Sequence, residues 1–334
     1  MRVIIHPYTD PYFNMAAEEY LLENEMRDVF MLWQNDNAVV IGKNQNTWAE
    51  VNVPFTEENG ITVVRRLSGG GAVFHDLGNV NFTYITAHDP ARGIDFRPFV
   101  EPILSALAEL GVQAEADGRN DIVVRGAKIS GNAQCVHRLP GGEERLLHHG
   151  TMLFSSDLSR LTSALQVSPE KIRAKGIASV RERVTNLTDV PEFPSEMTVQ
   201  AFMDHLAHAA VSADAELIPL TEEEIGGIRA LRDKKYATWE WNFGASLRHE
   251  TEKTCRFPFG TLHASYTAAG GKIESLRLHG DYFGQRPVNE LENVLLGIPL
   301  REDALAAALA AHPTPVGEYI HGASAEDIVR LILQ

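Results

Sequence analysis

DIVVRGAKISGNAQCVHRLPGGEERLLHHGTMLF, Asp121 to Phe154, is the stretch that decides the architecture. It holds three strand-like segments, DIVVRG, AKISGNAQCV and LLHHGTMLF, separated by glycines and by the polar loop PGGEER. Consecutive strands of that kind fold back on one another as hairpins. Hairpins predict a mixed, largely antiparallel sheet rather than a doubly wound parallel one.

Upstream, AVFH (Ala72 to His75) and VNFTYIT (Val80 to Thr86) extend the same pattern. Four earlier β-branched runs, RVIIH from Arg2, VFMLW from Val29, AVVIG from Ala38 and ITVVRR from Ile61, read as strands of one shared sheet. Between the first two, Asp10 can cap a helix, Pro11 suits its first turn, and Phe13, Ala17, Tyr20 and Leu21 recur on one face. An amphipathic helix from Asp10 to Asn24, packed on the sheet, is expected. Phe99, Ile103, Leu107 and Leu110 predict a second helix over Phe96 to Leu110.

Downstream, helices are expected over Thr198 to Ala213 and from Thr221, where TEEE supplies a capping box. After about Ser246 the pattern resets to a β-hairpin turned at Gly270 and Gly271, then helices from Val288, Arg301 and Ser324. The expected class is α+β, with a large domain over 1–246 and a small α+β domain over 247–334.

The 334 residues are 44% hydrophobic and 22% charged, enough for sizeable cores. A net charge of -15, from 45 acidic and 30 basic side chains, repels phosphate backbones and anionic lipid, so neither nucleic acid nor membrane is an expected partner. Two cysteines, Cys135 and Cys255, make no disulfide framework and no zinc spacing. With no signal-like start and no long apolar run, a cytoplasmic location is expected.

An anionic ligand would need a local concentration of positive charge. RRLSGGGAVFHDLGN, Arg65 to Asn79, supplies it: Arg65 and Arg66 end one strand, and Gly69, Gly70 and Gly71 let backbone amides approach an anion closely. No Gly-Lys-Ser/Thr follows and no helix opens there, so it is neither a Walker loop nor a dinucleotide fingerprint. Lys128, between glycines on an apolar strand, could hold two anions together as a carboxylate attacks the α-phosphate of ATP. Its plainer reading is an edge-strand lysine that blocks aggregation. For His75 with Asp76, a hydrogen bond fixing the strand end competes with an acid/base pair. For His148 and His149 near Cys135 and His137, structural roles outweigh a metal site.

NMAAEEYLL, VVIGKNQNTWAEVN, RRLSGGGAVFHDLGN, GRNDIVV with KISGNAQ, HHGTMLF, KGIASVRERVTNL and WEWNFG occur in this order, and together they resemble the lipoate-protein ligases. The resemblance implies a catalytic core like those of biotin protein ligases and class II aminoacyl-tRNA synthetases, followed by an accessory domain. It implies that ATP and lipoate give lipoyl-AMP, with Mg²⁺ on the departing pyrophosphate. The acyl group then passes to a lysine of a lipoyl domain of a 2-oxoacid dehydrogenase complex or of the glycine cleavage H protein.

By the same resemblance Arg66, Gly71, Ala72, Val73 and Phe74 contact ATP or the adenylate, and Lys128 touches both the lipoate carboxylate and the α-phosphate. Gly69, Gly70 and Gly71 border lipoate, and the stretch from Lys175 to Arg183 covers the adenylate. Leu67 departs from the family's usual small or polar residue. Three rivals remain open: a cysteine-dependent octanoyl or lipoyl transferase, a biotin ligase, and a non-catalytic lipoate-binding protein.

Overall fold

The computed structural model describes residues 1–118, 120–165, 184–244, 251–269 and 271–333. In chain order the strands are β1 (Arg2–Ile5), β2 (Val29–Trp33), β3 (Ala38–Ile41), β4 (Thr62–Arg65), β5 (Val73–His75), β6 (Asn79–Ala87) and β7 (Glu115–Asp117). They continue with β8 (Asp121–Val124), β9 (Ala127–Arg138), β10 (Glu144–Leu153), β11 (Glu216–Leu217), β12 (Thr251–Phe257), β13 (Gly260–Ala269) and β14 (Lys272–Gly280).

The hairpin stretch sits where its sequence puts it. β8 turns into β9 through Arg125 and Gly126, both at positive φ (52° and 77°), the pattern of a type I′ turn, and β9 returns as β10. Around them the large sheet runs β11-β1-β2-β6-β10-β9-β8-β7. Only β11–β1 and β1–β2 are parallel in it. The expected mixed, largely antiparallel α+β class is what is found.

The expectation of one shared N-terminal sheet is corrected. β3 and β4 leave the large sheet and pair with β5 in a second sheet, β4-β3-β5. Both faces of β3 are apolar and both are covered: Val40 joins the core around the N-terminal helix, while Val39 and Ile41 pack with Val51, Val63 and Phe74. The N-terminal helix, Pro11–Asn24, starts as expected, with the Asp10 side chain accepting from the Tyr12 amide at 3.0 Å. It is not amphipathic, because the second sheet and the segment 222–236 cover its outer side and bury Glu18 and Glu19 along with Phe13 and Leu21.

Side chains alternate along a strand, so Met31 and Trp33 of β2, Asn81 and Thr83 of β6, and His149 and Thr151 of β10 share one face of the large sheet. The opposite face, with Phe30, Leu32, Phe82, Tyr84 and Met152, packs on helices Arg97–Glu109 and Val199–Ala209. The helix from Glu222 to Leu231 opens with the expected capping box of Thr221 and Glu224. Beyond residue 251 a third sheet, β12-β13-β14, one strand larger than the expected hairpin, packs with helices Val288–Val294, Glu302–Ala311 and Ala325–Leu333 around a separate apolar cluster. The expected boundary at 246 falls outside the described residues. No described helix is long and apolar enough to cross a membrane.

Candidate active site

Lys128 reaches the first face of the large sheet through a β-bulge. Asp121 pairs with Gly131 and Ile122 with Ser130, but Val123 then pairs with Lys128, leaving Ile129 as the extra residue. The extra residue inverts the alternation, so Lys128 shares a face with Asp121, Gly131 and Thr151. Its Nζ lies 2.7 Å from Asp121 Oδ1, with 24% of the side chain exposed. Gly131 makes the space: a Cβ there would sit 2.7 Å from Lys128 Nζ. Thr151 Oγ1 accepts from the Gly131 amide at 3.1 Å and closes the same corner. The reading of Lys128 as an edge lysine is excluded, since β9 is flanked by β8 and, at Lys128 itself, by a bridge to Val184.

Two residues along β10 from Thr151 stands His149, about 7 Å away on the same face. His149 Nε2 is 2.6 Å from Ser68 Oγ, and its Nδ1 is 2.9 Å from Glu18 Oε1. Thr83 Oγ1 donates to Glu18 Oε1 at 2.7 Å, and Trp33 Nε1 donates to Thr83 Oγ1 at 2.9 Å. This buried polar row ties the N-terminal helix and the glycine loop to β10. A continuous face therefore leads from Lys128, past Thr151 and His149, to Trp33.

The two arginines of the glycine loop are internal. Arg66 donates to Ser68 Oγ (3.0 Å), Val40 O (3.2 Å), Gly69 O (2.5 Å) and Gly71 O (2.9 Å), so it shapes the loop from within. Arg65 holds the carbonyls of Gly42, Lys43, Gln45, Trp241 and Asn242, which fastens WEWNFG to the core. Burial pushes both guanidinium groups down to about 10, which leaves them charged at neutral pH and the loop electropositive.

The expected ligand residues are placed unequally. Gly71 is exposed with open space where a Cβ would point, and Ala72 and Val73 are half-buried. Phe74 buries its ring in the core of the second sheet. Gly69 and Gly70 are closed off, because the Gly70 amide donates to Tyr282 O at 3.1 Å and a Cβ on Gly69 would lie 2.1 Å from the same oxygen. Lys175 and Arg183 lie outside the described residues. Leu67 is buried in the core beside the N-terminal helix.

Asp76 is a turn former, accepting from the amides of Gly78 (2.9 Å) and Asp157 (2.7 Å), which is the plainer of its two readings. His148 bonds Gln134 and Asn132 on the far face of β10, and the described residues contain no group of three His, Cys, Asp or Glu that would hold a metal. Burial pushes the Cys135 thiol up to about 12, so it carries no thiolate at neutral pH. Asp121, Thr151, Glu18, Ser68 and Thr83 were not singled out from sequence. The one visible signal was Glu18 and Glu19 interrupting the otherwise apolar NMAAEEYLL.

The chain resembles known proteins along nearly its whole length. The family model for the lipoyl protein ligase A/B catalytic domain matches residues 10–211, and the one for the bacterial lipoate protein ligase C-terminus matches 246–332. The lipoate-protein ligase LplJ of Bacillus subtilis is 40% identical over 329 residues, 97% of each chain. The crystal structure of P. falciparum LipL1 in complex with lipoate superposes with a TM-score of 0.80 at 22% identity, over 100% of both chains, a likeness of fold. A lipoate-protein ligase A bound with ATP gives a TM-score of 0.61 at 29% identity, over 74% of this chain and 99% of that one. With family models covering both halves and a relative of 40% identity along nearly its whole length, the chain belongs to the lipoate-protein ligase family.

Proposed function

We propose that this chain condenses lipoate with ATP and passes the lipoyl group to a lysine of an acceptor protein, with Lys128 as the catalytic cation. In the first step a lipoate oxygen attacks the α-phosphorus and pyrophosphate leaves. In the second the acceptor ε-amine attacks the acyl carbon of the mixed anhydride and AMP leaves. Both steps gather negative charge at one point, and neither needs an enzyme nucleophile.

The observation that carries this reading is the bulge that delivers the Lys128 ammonium to a sheet face beside the glycine loop, paired with Asp121 at 2.7 Å. The ion pair keeps the ammonium in place until an anion arrives. A fixed cation there is worth about 3 to 4 kcal/mol of barrier, by the scale of other preorganised electrostatic groups. Gly71 to Phe74 and the field of Arg66 would receive the nucleotide, and the stretch from Lys175 to Arg183 would cover the adenylate. Mg²⁺ would accompany the phosphates of ATP; the described residues do not fit a resident metal, and no step is assigned to it.

Acceptors of this chemistry are the lipoyl domains of 2-oxoacid dehydrogenase complexes and the glycine cleavage H protein, which fits a cytoplasmic enzyme. We divide the chain into a catalytic unit over 1–246 and an accessory unit over 247–334. The thioester mechanism is disfavoured by the raised Cys135 thiol.

An apo lipoyl domain incubated with the protein, ATP, Mg²⁺ and lipoate should gain the lipoyl mass, with stoichiometric pyrophosphate release. Lys128→Ala should slow pyrophosphate release roughly 100- to 1,000-fold with an unchanged circular dichroism spectrum. Lipoylation that proceeds at the wild-type rate in Lys128→Ala, or without ATP, would sink the assignment.

A further inference from the structure

The ion pair that holds Lys128 is anchored from the opposite face of the sheet. The ladder of β8 with β9 ends where Asp121 pairs with Gly131, and two asparagines carry the contact one residue further. The Asn132 main-chain amide donates to Asn120 O at 2.8 Å, and Asn132 Nδ2 donates to the same oxygen at 3.1 Å. Asn120 Nδ2 returns a bond to Asn132 O at 2.8 Å. Asn120 immediately precedes Asp121, so these bonds fix the piece of chain from which the carboxylate reaches Lys128 Nζ.

Asn132 is itself oriented by a buried row. Gln134 Nε2 donates to Asp95 O at 2.7 Å, which identifies it as the amide nitrogen, and it lies 3.1 Å from His148 Nδ1. His148 Nδ1 therefore accepts, and the neutral ring carries its hydrogen on Nε2, 3.1 Å from Asn132 Oδ1. The Asn132 end leads to the same tautomer, because its nitrogen faces Asn120 O and its oxygen faces the imidazole. Burial keeps the ring neutral by pushing its pKa well below the ordinary histidine value, with His149 adding to the effect. Phe99 stacks on the ring at 4.8 Å and Phe96 meets it edge-on at 5.6 Å. Gly150 leaves the room, since a Cβ there would lie 2.2 Å from the Phe82 ring and 2.5 Å from Asn132 Oδ1. A buried row whose bonds all run in one sense holds a single geometry. Asn132 and Gln134 alternate with Gly131 and Ala133 along β9, so the row points away from the face that carries Lys128. Its influence on that face passes through the backbone of β8 and β9.

We propose that Asn132, oriented by His148 and Gln134, is the positioning residue that holds Asp121, and through it Lys128, in place for the reaction. This rests on the reading of Lys128 as the catalytic cation. Loss of the clamp frees the start of β8, and a displacement of about 1 Å or less at a reacting group costs roughly 10- to 100-fold in rate.

The test is a double-mutant cycle on the full-length chain, read by pyrophosphate release. Asn132→Ala should lower kcat roughly 10- to 100-fold in the wild-type background and have no further effect in Lys128→Ala, because a residue that acts through the lysine has nothing left to position. Asn120→Ala removes one bond from a half-buried amide and should move kcat the same way by roughly two- to fivefold, which keeps the test open should Asn132→Ala fail to fold. A second readout needs no turnover: reductive methylation followed by mass spectrometry should label Lys128 several-fold faster in either variant, while the other lysines keep their wild-type rates. Losses that add in the double mutant, or an unchanged labelling rate at Lys128, overturn the proposal and leave the row a purely structural clamp. Wild-type turnover in Lys128→Ala would defeat the catalytic reading instead, and the labelling rate would then decide whether the row holds the ion pair.

Discussion

At the scale of single residues the molecule keeps several titratable groups neutral by burial. Burial holds His6 near 4 and His75 near 3, against an ordinary value of 6.5. Above pH 6.5 each is neutral whether folded or unfolded, and the associated stability is fully present. Below it the unfolded chain takes up protons that the folded one refuses, so stability falls as pH drops from 6.5 toward those folded values. At pH 5 the loss is about 2 kcal/mol per histidine. Urea midpoints at pH 7 and pH 5 should show a marked decline, and His6→Phe should flatten it; a pH-independent midpoint would contradict the burial. The buried thiol gives a second expectation. Replacing Cys135 and Cys255 with alanine should leave lipoylation within about twofold of wild type, whereas a loss of the kind that nucleophile removal causes, by orders of magnitude, would restore the thioester mechanism.

At the scale of elements the decisive device is the bulge in β9. Without Ile129 as its extra residue, Lys128 would face the helices from Arg97 and Val199 instead of Asp121 and Thr151. Gly131→Ala isolates this effect, because its Cβ is tight only against the flexible end of Lys128, Nζ at 2.7 Å and Cε at 3.1 Å, with Thr151 Oγ1 at an ordinary 4.0 Å. The variant should lose little stability yet form adenylate roughly 10- to 100-fold more slowly, since a displacement of about 1 Å at a reacting centre costs on that order. Melting and pyrophosphate assays run side by side decide it, and unimpaired turnover would mean that Lys128 tolerates displacement. Sequence exposed Lys128 as an unusual cation among glycines, but a bulge leaves no mark in residue types, so neither its facing direction nor Asp121 as its partner was legible. The same limit hid the Glu18–His149–Ser68 row, whose members lie 131 and 81 positions apart in the chain.

At the scale of the whole molecule, the C-terminal unit rests on the glycine loop. The Gly70 amide donates to Tyr282 O at 3.1 Å, the Gly280 amide to Asn44 O at 2.8 Å, and the rings of Phe96 and Phe283 meet edge-to-face at 5.4 Å. The docked arrangement thus uses an amide that the sequence reading reserved for a ligand. Gly69→Ala would place a methyl 2.1 Å from a main-chain oxygen, which cannot give way alone. Hydrogen exchange at peptides containing Gly70 and Gly280 should accelerate by about an order of magnitude or more in that variant while β6 and β10 stay protected. Unchanged exchange at both peptides would mean that the contact does not hold the two units together.

The sequence by itself determined the class of sheet, the glycine loop, the lysine and the order of motifs that leads to the family, because hairpin turns, glycine freedom and alternation are local properties of the chain. Tertiary structure alone decided that β3 and β4 form a second sheet, that Arg65 and Arg66 brace the loop from inside, and that Gly69 and Gly70 lie under Tyr282. Each of those outcomes depends on what packs against a residue from a distant part of the chain, and burial and partner choice are set only once the whole chain has closed on itself.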